Sequence, residues 1–256
     1  MAVFVSASDE RSSGGNRRNR FFYGGFLAPE KDWYGPFAEQ WNKDVLKGPP
    51  RIPWLHMTDI RSKKWREQEK ITRAQGEQRV KAAFELISEM PSLTPIGSAL
   101  NAGQLLDTFI TKVQFRKGGK RKFEPDYLAF MAYAYLVLMF CDKARPDAEK
   151  VDFVVERNND ITKRIQEFYD DMPDALTKVG LGRLVPLLGE LIPAGKERIP
   201  LQAADLLCWH TERFREGTLD DKNVRRYKVI ATRRGARSTI SDSAITELWT
   251  AVVGKS

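Results

Sequence analysis

The sequence predicts an α/β fold, a mixed sheet with helices on both faces. Three observations carry this expectation. Short β-rich runs open the chain, helical periodicities fill its middle, and an apolar strand at Val151–Glu156 lies between helical stretches. Strands followed by helices and then by an interior strand pack as a sheet covered on two sides.

Val3-Phe4-Val5 opens the first strand, which is expected to end near Ser8-Asp9. Ser12 to Asn19, rich in Gly, Ser, Asn and Arg, reads as a turn or loop. Phe21 to Ala28 is expected to return antiparallel to the first strand. Ile52-Pro53-Trp54-Leu55-His56 reads as a weaker third strand, because Pro53 confines it to an edge or a strand start. From Ser62 the pattern turns helical: Val80, Phe84, Ile87 and Met90 recur at intervals of three and four until Pro91 and Pro95 break it. A second helical stretch is expected from about Gly97 to Val113, followed by a basic, glycine-tipped turn over Phe115–Phe123. Pro125 opens an apolar helix ending near Lys143, and its lack of a polar face implies burial on most sides. Ile161 to Thr177 reads as an amphipathic helix, and Leu184–Leu188 and Gly189–Ile192 as one or two short strands. Pro200 occupies a first-turn position ahead of a helix running from Leu201 to Phe214. Ser241 or Asp242 can cap a last helix through Val253. The expected organisation is one domain over 1–218, with a helical insertion over about 62–145, then a basic C-terminal extension over 219–256 ending in that helix.

Composition narrows the function classes. The 256 residues are 42% hydrophobic and include 14 Phe, 6 Trp and 7 Tyr, which suits a packed globular domain rather than a disordered chain. Cys141 and Cys208 both lie in apolar runs and read as buried, reduced thiols. With only two Cys and two His in the chain, a zinc site is not expected. Met1–Val5 lacks the basic start of a signal peptide. The longest apolar run, Tyr127 to Cys141, is shorter than the roughly 20 residues needed to span a bilayer, so a cytoplasmic location without membrane association is expected. The net charge of +8 favours a polyanionic partner.

Three acids occupy unusual places. Asp9 ends the first strand, Glu156 ends an otherwise apolar strand, and Asp205 lies inside Leu201-Gln202-Ala203-Ala204-Asp205-Leu206-Leu207-Cys208-Trp209. Gln202 and Asp205, three apart, share a helix face. Acids in apolar surroundings are seldom buried unless paired or bound to a metal. Converging from two strands and a helix, such carboxylates would offer the hard oxygen ligands that Mg²⁺ or Mn²⁺ prefers. Two such ions about 3.5–4 Å apart can assist phosphodiester cleavage. The alternative on pattern alone is that Asp9 and Glu156 cap loops and Asp205 pairs with an arginine.

Ser8-Asp9-Glu10-Arg11-Ser12, Leu55-His56-Met57-Thr58-Asp59, Val155-Glu156-Arg157 and Pro200-Leu201-Gln202-Ala203-Ala204-Asp205-Leu206-Leu207 together resemble a bacterial and phage family, the domain of unknown function numbered thirty-eight hundred. The resemblance runs from about Ala2 to Phe214. Arg11 stands where that family usually has Ser, and Glu156 where members often carry Asp. The family is grouped with the ribonuclease H-like superfamily, so the resemblance implies a ribonuclease H-like mixed sheet flanked by helices. It also implies a metal site formed by Asp9, Glu156 and Asp205, with Asp59 as an additional acidic ligand. His56, near neutrality in its ordinary titration, is a candidate proton shuttle. His210, five residues past Asp205 and off its helix face, reads as structural.

Three basic clusters suit a nucleic-acid backbone. Arg17 and Arg18 lie in the first, with Arg11 and Arg20. Lys112, Arg116, Lys117, Lys120, Arg121 and Lys122 form the second. Arg225, Arg226, Arg233, Arg234 and Arg237 belong to the third, where Tyr227 is a candidate base-stacking residue. The leading expectation is a divalent-metal-dependent nuclease. A non-catalytic nucleic-acid-binding module on the same scaffold is the alternative. A nucleotide phosphohydrolase using Ser12-Ser13-Gly14-Gly15 as a phosphate cradle is a third, weakened by the missing P-loop signature. The pattern does not specify DNA or RNA, or the oligomeric state.

Overall fold

The computed structural model describes residues 2–12, 20–101, 125–157, 159–233 and 235–239. Its strands are β1 (Ala2–Ser12), β2 (Arg20–Pro29), β3 (Thr94–Asn101), β4 (Ala148–Glu156), β5 (Leu188–Ala194) and β6 (Ala236–Thr239). Among the described residues they form one six-stranded sheet in the order β5-β4-β1-β2-β3-β6. β2 runs antiparallel to both β1 and β3, whereas β4 is parallel to β1, β5 to β4 and β6 to β3. The fold is therefore α/β, with a mixed sheet flanked by helices.

The helices are α1 (Met57–Arg61), α2 (Lys63–Gln68), α3 (Arg73–Glu89), α4 (Pro125–Ala144), α5 (Asn159–Lys178), α6 (Ile199–Arg215) and α7 (Asp221–Ala231). A further helical run over 30–46 alternates short α turns with wider π turns. It buries Trp33, Phe37, Trp41 and Val45, spaced by four, and the wider turns help to keep these residues on one side. Among the described residues no helix is long and apolar enough to cross a membrane.

Two cores lie on the two sheet faces. Strand alternation sends Val5 and Ala7 of β1, Phe26 and Ala28 of β2 and Val154 of β4 to one face, under α6, α3, α7 and the 30–46 run. Phe4, Tyr23, Leu27, Phe153 and Val155 go to the other, under α4 and α5. Every residue of α6 from Pro200 to Thr211 is buried, because the sheet lies on one side of this helix and an outer helical layer on the other. Its polar residues must therefore find internal partners. The backbone of β2 leaves room for close packing: a Cβ on Gly25 would stand 1.8 Å from the Ala7 carbonyl oxygen, and one on Gly24 would press on the Phe22 ring.

The structure departs from the sequence expectations in several places. Ile52–His56 is not a strand. His56 is extended (φ −131°, ψ 127°), but the neighbouring N–H groups of Leu55 and Met57 bond to side chains of α6 rather than to another strand. The third sheet strand is instead β3, which begins inside the stretch expected to be helical from Gly97; the rest of that stretch, 102–113, lies outside the described residues. The region 62–145 thus contributes a sheet strand as well as helices. The described part of 219–239 is also integrated: α7 packs on α3 and α6, and β6 joins the edge of β3. The expected turn at 115–123 and the final helix from Ser241 or Asp242 lie outside the described residues. Neither cysteine forms a disulfide, both are buried, and burial pushes the Cys141 thiol up to about 12.

His210 on α6 is fully buried. Its Nδ1 donates to the Leu206 carbonyl at 2.7 Å, its Nε2 has no hydrogen-bond partner, and the ring meets Phe84 edge-on. Burial, with Arg61, Arg226 and Arg213 nearby, pushes this imidazole down to about 4. The unfolded chain takes up the proton near pH 6.5, while the native state resists until about pH 4. Stability contributed by the neutral ring is thus lost as pH falls through this window, by roughly 3 kcal/mol at its acid end. Urea unfolding at pH 7 and pH 4.5 is expected to show that loss in the wild type and a smaller one in His210→Met. An equal acid loss in the two proteins would contradict this origin.

Candidate active site

Asp9 and Glu156 arrive from adjacent parallel strands. Ser8 pairs with Val155, so the next residues along, Asp9 and Glu156, come side by side. Asp9 shares a face with Val5 and Ala7, and Glu156 with Val154, so both stand on the face covered by α6. On that helix Asp205 lies one turn before Cys208, whose single S–H is shared between the Asp9 carbonyl (3.3 Å) and the Gly24 carbonyl (3.1 Å). The absence of a side chain at Gly24 permits this close approach, since a Cβ there would stand 3.3 Å from the sulfur.

One pocket results, lined by Asp9, Leu55, His56, Glu156, Lys196, Leu201, Gln202 and Asp205. Asp9 is 6% and Asp205 3% exposed, while Glu156 is half-buried. The structure therefore brings Asp9, Glu156, Asp205 and His56 together, from positions as far apart in the chain as β1 and α6.

Gln202 and Asp205 hold the far wall in place. Gln202 Oε1 accepts from Trp41 Nε1 (2.9 Å) and from the Leu55 N–H (3.0 Å), and its Nε2 donates to the carbonyls of Lys196 (3.0 Å) and Glu197 (3.3 Å). Asp205 Oδ2 accepts from the Met57 N–H at 2.6 Å, at the start of α1. Two side chains three apart on a helix thus take the N–H groups of two residues on an extended segment. His56, between those residues, is presented to the pocket with Nε2 3.7 Å from Asp205 Oδ1.

Asp59 stands behind His56 and is not among the residues lining the pocket. Its Oδ2 accepts from Trp54 Nε1 (2.9 Å) and Lys196 Nζ (3.3 Å), and lies 3.2 Å from His56 Nδ1. His56 Nδ1 lies 3.4 Å from Lys196 Nζ, and an ammonium group only donates, so Nδ1 accepts there and the neutral ring carries its proton on Nε2, toward Asp205 and the pocket. In this arrangement Asp59 holds Trp54 and Lys196 beside His56 rather than lining the pocket as a ligand.

The donor types suit a hard divalent cation, since carboxylate oxygens from β1, β4 and α6 share one pocket. Their spacing is wider than a ligand shell: among the described residues, no three His, Cys, Asp or Glu stand close enough to share an ion. The pocket fits Mg²⁺ or Mn²⁺ in the kind of donor it offers, and these side chains would have to draw together to hold one.

The basic clusters are only partly described. Arg17, Arg18, Arg116, Lys117, Lys120, Arg121, Lys122 and Arg234 lie outside the described residues, and of Arg237 only the backbone, on β6, is described. Arg225 is exposed on α7, and Arg226 is half-buried, with Nη1 3.4 Å from Asn223 Oδ1. Arg233 has a different role from the one expected. Its guanidinium donates to the carbonyls of Ile87 (2.7 Å) and Ser88 (3.2 Å), capping the end of α3 rather than facing a phosphate backbone. Tyr227 is buried against Phe214, with ring centroids 5.0 Å apart, and is not presented for base stacking.

Sequence reasoning missed Lys196 altogether, and it assigned no role to Gln202 beyond sharing a face with Asp205. Lys196 sits in the turn between β5 and α6, where no periodicity marks it. Gln202, a long amide inside an apolar helical run, carried a readable signal, because a buried amide needs several partners. No family model, curated protein or solved structure matches the chain.

Proposed function

We propose that the chain is a divalent-metal-dependent nuclease acting on nucleic-acid phosphodiesters, on a ribonuclease H-like scaffold akin to the family numbered thirty-eight hundred. The observation that carries this reading is the convergence of Asp9, Glu156 and Asp205, with His56, in one pocket. The order β5-β4-β1-β2-β3, with β2 antiparallel to its neighbours, is compatible with that scaffold. The net charge of +8 gives the protein attraction for a polyanion.

In this reading Asp9, Glu156 and Asp205 hold Mg²⁺ or Mn²⁺. The bound ion would supply Lewis acidity toward a phosphate oxygen and a lowered pKa for water. Lys196 Nζ engages His56 Nδ1, and His56 Nε2 gives or takes a proton at the pocket. Gln202 keeps the segment carrying His56 against α6.

The test incubates the full chain with single- and double-stranded DNA and RNA in Mg²⁺, in Mn²⁺ and in EDTA. Cleavage that requires the divalent ion is expected with at least one substrate. Salt-sensitive binding without cleavage in either metal would replace this reading with the non-catalytic binding module.

A further inference from the structure

We propose that Lys196 is the phosphate-anchoring residue of this pocket: its ammonium group takes a non-bridging oxygen of the substrate phosphodiester. The inference rests on the nuclease reading and adds the group that would hold the anion there.

The pocket poses an electrostatic problem for such a substrate. Asp9, Glu156 and Asp205 line it, and a phosphodiester carries a negative charge. An anion brought beside carboxylates needs a compensating positive group at short range. Among the described residues lining the pocket, those able to carry positive charge are His56 and Lys196. His56 is committed at Nδ1 to Lys196, from whose Nζ it accepts at 3.4 Å, and faces Asp205 with Nε2.

Lys196 is placed for the role by contacts that fix both its ends. Its carbonyl accepts from Gln202 Nε2 at 3.0 Å, so the turn before α6 is tied to the same amide that holds Leu55 and Trp41. Its Nζ lies 3.3 Å from Asp59 Oδ2 and 3.4 Å from His56 Nδ1, while the side chain remains 36% exposed. An ammonium group has three donors. Asp59 Oδ2 and His56 Nδ1 take two of them, and the third is available to an anion arriving from solvent. A point charge on a short tether of this kind binds phosphate without reading a base. The structure thus gives Asp59 the task of steadying Lys196, which in turn holds His56 Nδ1.

The test uses the full chain, as wild type, Lys196→Ala and Lys196→Arg. Binding of a short fluorescent single-stranded oligonucleotide is read by anisotropy in Ca²⁺, and cleavage is read in Mn²⁺. Removing one charged hydrogen bond to phosphate is expected to weaken oligonucleotide binding of Lys196→Ala by about tenfold to a hundredfold. Lys196→Arg, which keeps the charge, is expected to stay within about threefold of wild type. Mn²⁺ affinity and the unfolding midpoint are expected to be nearly unchanged in both variants. Normal binding and cleavage by Lys196→Ala would overturn the inference while leaving the nuclease reading intact. So would equal losses in the two variants accompanied by weakened Mn²⁺ binding, which would make Lys196 a structural partner of Asp59. Oligonucleotide binding that depends on Lys196 in a wild type that never cleaves would keep the anchor and remove the nuclease. A wild type that does not bind the oligonucleotide would remove both.

Discussion

Asp205→Asn is expected to abolish divalent-dependent cleavage while leaving the fold intact. The amide oxygen of Asn can still accept from the Met57 N–H, which Asp205 Oδ2 now receives at 2.6 Å, so the start of α1 keeps its anchor. The negative charge is lost. An ion's contribution to a phosphoryl transition state is several kcal/mol, and each 1.36 kcal/mol is a factor of ten, so the rate is expected to fall on the order of a thousandfold. Single-turnover cleavage in Mn²⁺, beside a thermal melt of the same samples, checks the two halves. Unchanged cleavage would remove Asp205 from the site. A melt lowered by many degrees would instead make its role structural, through α1.

The second large effect concerns stability. Gln202 is 2% exposed and makes four hydrogen bonds to three separate parts of the chain. Gln202→Ala leaves the Trp41 Nε1–H and the Leu55 N–H without their acceptor and takes a donor from the carbonyls of Lys196 and Glu197. Each buried group left unsatisfied costs about 1–3 kcal/mol, so a loss of roughly 3–5 kcal/mol is expected in equilibrium urea unfolding. Because the same amide holds the segment carrying His56 and the turn carrying Lys196, activity should fall along with stability. A loss under about 1 kcal/mol would mean that water or neighbouring groups replace these bonds, and that the pocket wall is held by other contacts.

Much of this architecture was legible because its periodicities are strong. β1, β2 and β4 follow from apolar runs bounded by turn residues, and α4, α5 and α6 from helical spacing with proline at or near the first turns of α4 and α6. β3 was hidden by Pro95 and Gly97, residues that normally argue against a strand. Pro95 lies near the strand's start, and Gly97 makes room for the Phe22 ring, 2.9 Å from where its Cβ would be. Ile52–His56 reads as a strand from its apolar residues, yet the N–H groups of Leu55 and Met57 find the side chains of Gln202 and Asp205, which no strand pattern encodes. α7 was read only as a basic segment. Its Asp220 cap, together with Val224, Tyr227 and Ile230 at threefold spacing, was nevertheless present in the sequence.

The site divides in the same way. The acids stood out as charged residues at element ends or in apolar surroundings, and the structure places Asp9, Glu156 and Asp205 in one pocket. Lys196 could not be found by pattern, because its position depends on how one turn folds over α6. Arg233 and Tyr227 show the opposite failure. A cluster of basic and aromatic residues suggested an exposed interface, but tertiary packing turned the guanidinium toward the end of α3 and the ring toward Phe214.

The central claim is that side chains from β1, β4 and α6 close on a divalent cation. Diffraction from crystals grown in Mn²⁺, recorded at the manganese absorption edge, tests it most directly. The account predicts an anomalous peak in this pocket, about 2.0–2.6 Å from oxygens of Asp9, Glu156 and Asp205, with the three carboxylates drawn closer than they stand now. A pocket without such a peak at saturating Mn²⁺, its carboxylates still held apart, would contradict it.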